Sequence, residues 1–358
     1  MKKSAQFRRS CKPGAIGSKA LGPLGLLPGK WEGKGTGWNM IALPFDGARF
    51  KFRILMNQYD EELVFTTVSD NVENRGLKGV LDSSNNPPGS PDDDQFVVAL
   101  DYQQSITQGK AEDNPDSGGL AGVIGKPIHH EPGLWLYMKN LRAIDKDITD
   151  TPDGGIKMAD AVIEVARLAA VPHGNSVLAL GTATTEKGMP DIPPVSGLPI
   201  GQFQDLSTPD SNFLTDPYLA PYKHYIDNPF MGDVQGIPGY PGFNPKDMHE
   251  ILRFANQSID IKRTTVLTVD TTRQNAGIVN APFVTKQAEP ASMKSTFWIQ
   301  ELKEKDQYGR PKLRLQYSQV VMLDFFRPRE DGHPDRARWP HISINTLEKV
   351  ADSAEYAD

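Results

Sequence analysis

One cysteine, Cys11, occurs in 358 residues, so no intrachain disulfide can form and the fold must stand on packing alone. A reducing, cytoplasmic location is the expectation that follows. No run approaches the ~18 apolar residues that a bilayer crossing needs, so no transmembrane segment is expected. Lys and Arg number 39 against 45 Asp and Glu, for a formal net charge of -6, which argues against a general nucleic-acid binder. Metal and nucleophile signatures are also missing. There is no His-Glu-x-x-His, no cysteine pair, no Gly-x-Ser-x-Gly elbow and no phosphate loop, which disfavours zinc hydrolases, serine hydrolases and nucleotide enzymes.

What the chain has instead is glycine and proline, at 32 and 29 residues, with apolar residues at only 38%. Loops and turns are therefore expected to dominate, yet 15 Phe, 10 Tyr and 5 Trp are too many for a wholly disordered chain. Residues 1–22 hold Lys2, Lys3, Arg8, Arg9, Lys12 and Lys19 without an acid, and read as a flexible basic tail. The sharper reading of that tail is a docking peptide for an acidic partner or membrane surface.

From Leu24 onward apolar residues recur at period two between turn-forming clusters, the signature of β-strands. Arg49–Met56 places Phe50, Phe52 and Ile54 on one face and Lys51 and Arg53 on the other, as in a strand buried on one side. Tyr59–Val68 and Phe96–Ile106 are further strands, with residues 81–94 as a long loop. Leu134–Leu141, Ala161–Ala170, Ser176–Thr184, Thr264–Thr272, Thr296–Leu302 and Lys312–Phe326 continue the series. The expected fold is all-β: about ten antiparallel strands closed into an up-and-down barrel of the lipocalin or fatty-acid-binding shape, with long loops. Residues 186–246 break the rhythm with eleven prolines. Phe203, Phe213, Tyr218, Tyr222, Tyr225, Phe230 and Tyr240 give this stretch apolar surface, so an insertion ordered by packing is expected. Asp247–Gln257 is the best helix, starting after Asn244-Pro245. One domain over 23–348, with a C-terminal tail at 349–358, fits better than two.

Two segments carry the functional signal. Gly29-x-Trp31-x-Gly33-x-Gly35-x-Gly37 alternates glycine at period two, which lets something flat approach a strand closely. Near the other end, Trp339-Pro340-His341-Ile342 sets a histidine beside a proline. The first motif resembles the opening strand of the nitrobindin-like haem-binding β-barrel family. Tyr59-x-Glu61-x-Leu63-x-Phe65 is similar to that family's second strand, and His130-Glu131-Pro132-Gly133-Leu134-Trp135 to its His-x-Glu-x-Gly-aromatic segment, with altered spacing. Leu313–Ser318 followed by Trp339–Ile342 resembles its closing strands. The resemblance spans roughly 24–347, interrupted by the insertion, and sets this enlarged chain beside a larger, peroxidase-like branch.

The resemblance implies haem b in the lumen, His341 as its axial ligand, and activity toward peroxide, nitric oxide or peroxynitrite. His333 is the second candidate ligand. A distal proton-moving group is expected among His129, His130 and Glu131, for which a structural strand end is the plain alternative. Gly33, Gly35 and Gly37 are expected against the porphyrin edge, with Lys34 and Thr36 near the propionates. Close strand crossing explains the glycines nearly as well. His173, in Val-Pro-His-Gly-Asn, reads as a turn residue. A non-enzymatic carrier or sensor of a lipophilic small molecule is the alternative function. A structural protein using the insertion as an interaction arm is the third, and a homo-oligomer is left open.

Overall fold

A computed structural model describes residues 19–74, 95–138, 161–200, 217–282, 288–325 and 338–352, with short strand pieces at 143–145, 149–150 and 156–157. Cys11, His333, Phe203, Phe213, the 81–94 loop, most of the basic tail and most of the C-terminal tail lie outside the described residues. Strand accounts for 61% of the structure and helix for 8%, as the period-two patterning implies. Loops and turns do not dominate as the glycine and proline content suggests, because much of the glycine lies within or between long strands of the wall.

The wall is built from β1 (Gly29–Pro44), β2 (Phe52–Asn74), β3 (Gln95–Asn114), β4 (Pro127–Met138), β5 (Val165–Val171), β6 (Asn175–Lys187), β7 (Ile261–Asp270), β8 (Ala288–Lys305), β9 (Pro311–Phe325) and β10 (Arg338–Ala351). Each strand pairs antiparallel with its sequence neighbours, β10 pairs with β1, and β6 with β7. The result is a closed ten-strand up-and-down barrel with no free edge along its wall. A short strand, Gly277–Asn280, adds to β6 from outside the ring.

Two expectations are corrected at the level of elements. Arg49–Met56 and Tyr59–Val68 are one strand, β2, running without a turn from Phe52 to Asn74. Nor is its first part buried on one side only: Phe52 and Ile54 sit in an outer apolar layer, and Arg53 on the opposite face is also buried. Arg53 tolerates this because it pairs with Asp113 and donates to the Leu120 carbonyl.

Two apolar cores lie on opposite sides of the wall. Inside the barrel, Trp31, Leu63, Leu100, Trp135, Leu267 and Phe297 fill one end of the lumen. Leu21, Leu24 and Leu27, around a single turn of 3-10 helix at Gly22–Leu24, close that end. Outside the barrel, Trp38, Met40, Phe52, Ile54, Ile342 and Ile344 meet the insertion. Its helix α1 (Ala220–Asp227) brings Tyr222, whose ring stacks 6.2 Å from that of Trp339. Helix α2 (Glu250–Asn256) begins later than the sequence suggests, because the Asp247 carboxylate is engaged by the His249 and Val195 amides and by Arg253.

Candidate functional site

The end of the lumen opposite the Trp31 core is hollow. Its cavity measures about 250 Å³ and is reached by residues of β1, β2, β3, β4, β9 and β10. One part of its lining is aliphatic, formed by Ile41, Leu43, Leu55, Ile106 and Ile128. Another part is polar but uncharged, with amides from Asn39, Asn57, Gln104, Gln108 and Gln319 and phenols from Tyr59 and Tyr317. Three histidines complete it: His129, His173 and His341.

His341 points inward because β10 alternates: its neighbours Ile342 and Ile344 belong to the outer core, leaving His341 and Ser343 for the lumen. Its Nε2 lies 2.7 Å from Asn39 Oδ1, which also accepts from Ser343 Oγ at 3.2 Å. Asn39 in turn donates through Nδ2 to Asn57, and Asn57 donates to Gln108 Oε1 at 2.9 Å. This relay fixes Asn39 Oδ1 as an acceptor, so Nε2 carries the imidazole proton and Nδ1 holds the lone pair. Among the described residues Nδ1 has no hydrogen-bond partner. Burial, then repulsion from His129 and His173, lowers the pKa of His341 to about 4, so the ring is neutral at physiological pH.

β4 and β10 stand four strands apart in the ten-strand ring, so His129 faces the cavity from a wall broadly across from His341. Its Nε2 is 3.3 Å from Glu131 Oε2. Glu131 also accepts from Arg167 and from the Tyr102 hydroxyl, each at 2.5 Å. Burial pushes this carboxyl up, but Arg167, His129 and Tyr102 together hold it at about 2. Arg167 is itself pinned, donating to Ser295 Oγ at 3.1 Å and Gln319 Oε1 at 2.7 Å. Glu131 is therefore a fixed anion behind His129.

The other sequence candidates separate. His130 is one residue out of phase with its neighbours, lies on the exposed face, and meets Ser105 Oγ at 3.2 Å. Gly33, Lys34, Gly35 and Thr36 line no part of the cavity. Residues 34–36 form a bulge with Gly35 at φ +63°, and Lys34 and Thr36 are exposed. The glycine motif instead makes room for lumen side chains. A Cβ on Gly37 would stand 2.0 Å from the Tyr59 ring, and one on Gly33 would stand 3.0 Å from the Asn345 amide and closer still to Thr36.

His173 lies in the β5–β6 turn as its sequence suggests, yet its ring reaches the cavity, 5.8 Å from that of His129. Only the pairing of β4 with β5 brings the two rings together, which no local pattern reveals. Sequence reasoning also missed Asn39, which orients His341, and Arg167, which holds Glu131. Both stand in strands whose polar residues read as solvent-facing.

No protein-family model matches this chain, and no curated protein matches it. Among solved structures the chain is similar to the crystal structure of Rv2717c from M. tuberculosis, at 14% identity and a TM-score of 0.32, with 92% of this chain and 96% of that one covered.

Proposed function

We propose that the hollow end of the lumen binds haem b through His341 and supports peroxidase-like or reactive-nitrogen chemistry there. The observation that carries this reading is the state of His341: a neutral imidazole, anchored at Nε2 by Asn39, whose Nδ1 lone pair has no partner among the described residues. That is the arrangement of a metal-binding histidine, one nitrogen for the metal and the other held by a protein acceptor. The donor set fits haem iron bound by one protein ligand. The aliphatic wall of Ile41, Leu43, Leu55, Ile106 and Ile128 suits a porphyrin's apolar edge. At about 250 Å³ the cavity is below the roughly 300–1,000 Å³ of ordinary ligand pockets, so the lumen encloses only part of such a ligand.

When bound, the haem supplies an iron whose free face can react with peroxide, nitric oxide or peroxynitrite. The chain's contribution is binding and proton handling. Asn39 orients His341, and Glu131 engages His129 at Nε2, which leaves His129 Nδ1 to accept and return a proton. The test is a haem titration followed by absorption spectroscopy. Wild type is expected to develop a Soret band, and His341→Ala to lose it while retaining the β-sheet signal in circular dichroism. A full band in His341→Ala contradicts the assignment. The aliphatic wall also favours a second reading, a carrier of a lipophilic molecule. It gains support if a well-folded chain supplied with haem shows no band and takes up a fluorescent fatty acid.

A further inference from the structure

Beneath the cavity lies a buried acid that the haem reading leaves unused. Glu61, on β2, is 4% exposed and accepts three hydrogen bonds, all from neutral donors. Tyr317 Oη donates at 2.6 Å, Asn345 Nδ2 at 2.7 Å and Gln104 Nε2 at 2.7 Å. Glu131, by contrast, is buried to the same degree and is paired with Arg167. The ionisable groups near Glu61 are Tyr59 on its own strand, Tyr317 on β9 and, at longer range, His129 on β4. β3 and β10 bring only the amides of Gln104 and Asn345. Burial raises the Glu61 carboxyl, while its hydrogen bonds and His129 oppose that rise.

The two phenols connect this acid to the cavity. Tyr59 Oη and Tyr317 Oη are 2.9 Å apart, and both rings line the lumen while Glu61 does not. An amide donates without readily relaying a proton, whereas a hydroxyl accepts one and releases another. We propose that Glu61 is a proton donor and acceptor for the lumen, connected to it through the Tyr317 hydroxyl. In the forward direction, with Glu61 protonated and the Tyr317 hydroxyl turned to the cavity, the carboxyl proton passes to Tyr317 Oη as the hydroxyl proton leaves for an acceptor there, which leaves Tyr317 donating to Glu61 as in the structure. Glu61 is left as a carboxylate held by Asn345 and Gln104, and the reverse transfer restores it. One proton moves and no electrons do. Gly33 packs beside this device: a Cβ there would stand 3.0 Å from the Asn345 amide that donates to Glu61.

This deepens the haem reading by naming a proton source for a lumen-bound peroxide or nitrogen oxide, but its test runs without haem, so the two fail separately. Infrared titration of the full-length apoprotein is expected to show a protonated-carboxyl band that Glu61→Gln removes. On transfer to deuterated solvent, that band is expected to exchange rapidly in wild type. Tyr317→Phe keeps the buried carboxyl but cuts the relay, slowing exchange on the order of 10²-fold. Tyr59→Phe leaves exchange fast, because Tyr317 itself reaches the cavity. A purely structural role for Tyr317 would move the band's position and leave its exchange rate unchanged. Loss of no band in Glu61→Gln, or exchange in Tyr317→Phe as fast as in wild type, overturns the proposal.

Discussion

His341 is neutral because the lumen wall withholds water from it and two other histidines stand near it, and this has a cost in acid. An unfolded histidine titrates near ~6.5, whereas His341 in the barrel does so at about 4. Between those values the unfolded chain binds more protons, so stability falls as pH falls through that window and levels off beneath it. Glu131 adds a second stretch. Its carboxyl sits at about 2 when folded and near ~4.3 when unfolded, so its contribution is complete above ~4.3 and is lost as pH falls toward 2. Urea midpoints measured from pH 7 to 3 should fall overall, with the raised Glu61 carboxyl opposing part of the fall just above ~4.3, where the folded chain binds its proton first. His341→Asn should flatten the upper stretch without abolishing it, because burial lowers His249 and His173 as well. An unchanged slope in that variant would contradict the buried, neutral His341. At the same scale, Gly37→Ala puts a methyl against the Tyr59 ring, and chemical denaturation should show a loss of roughly 1–3 kcal/mol. The sequence shows the glycines plainly but not their partners, because Tyr59 and Asn345 arrive from other strands.

At the scale of elements, the chain's alternation changes phase partway along its strands. In β2 the core residues are Phe52, Ile54 and Met56 toward one end and Leu63 and Phe65 toward the other, even positions giving way to odd. β1 does the same in reverse order, with Trp31 inside and Trp38, Met40 and Ala42 outside. Read locally, such a switch looks like a turn between two strands. It marks instead the level at which the apolar core passes from inside the barrel to outside, beneath the insertion. The inward positions are thereby released for Asn39, Asn57 and His341. Period two thus reveals which residues share a face, while which face is the lumen depends on the insertion. Trp339 tests the outer layer, packed 4.7 Å from Phe52 and against Tyr222. Trp339→Ala should cost about 3–5 kcal/mol in equilibrium unfolding, as for a buried aromatic. A loss under 1 kcal/mol would mean that the insertion does not grip the wall.

At the scale of the whole molecule, the barrel is a half-filled cylinder: one end is packed and plugged by Leu21, Leu24 and Leu27, and the other is open to a ligand. The ring of strands was legible from alternation and turn residues. His341 stood out by its neighbours in sequence, whereas the His129–Glu131–Arg167 support needed the fold to assemble it. The central claim is that His341 is the protein ligand to a haem iron, and imidazole rescue tests it most directly. His341→Ala leaves a space of imidazole size at the wall, so the variant loaded with haem alone should lack the wild-type Soret band, and free imidazole should restore it. A variant that shows the wild-type band without imidazole, or a folded wild type that takes up no haem, would contradict the account.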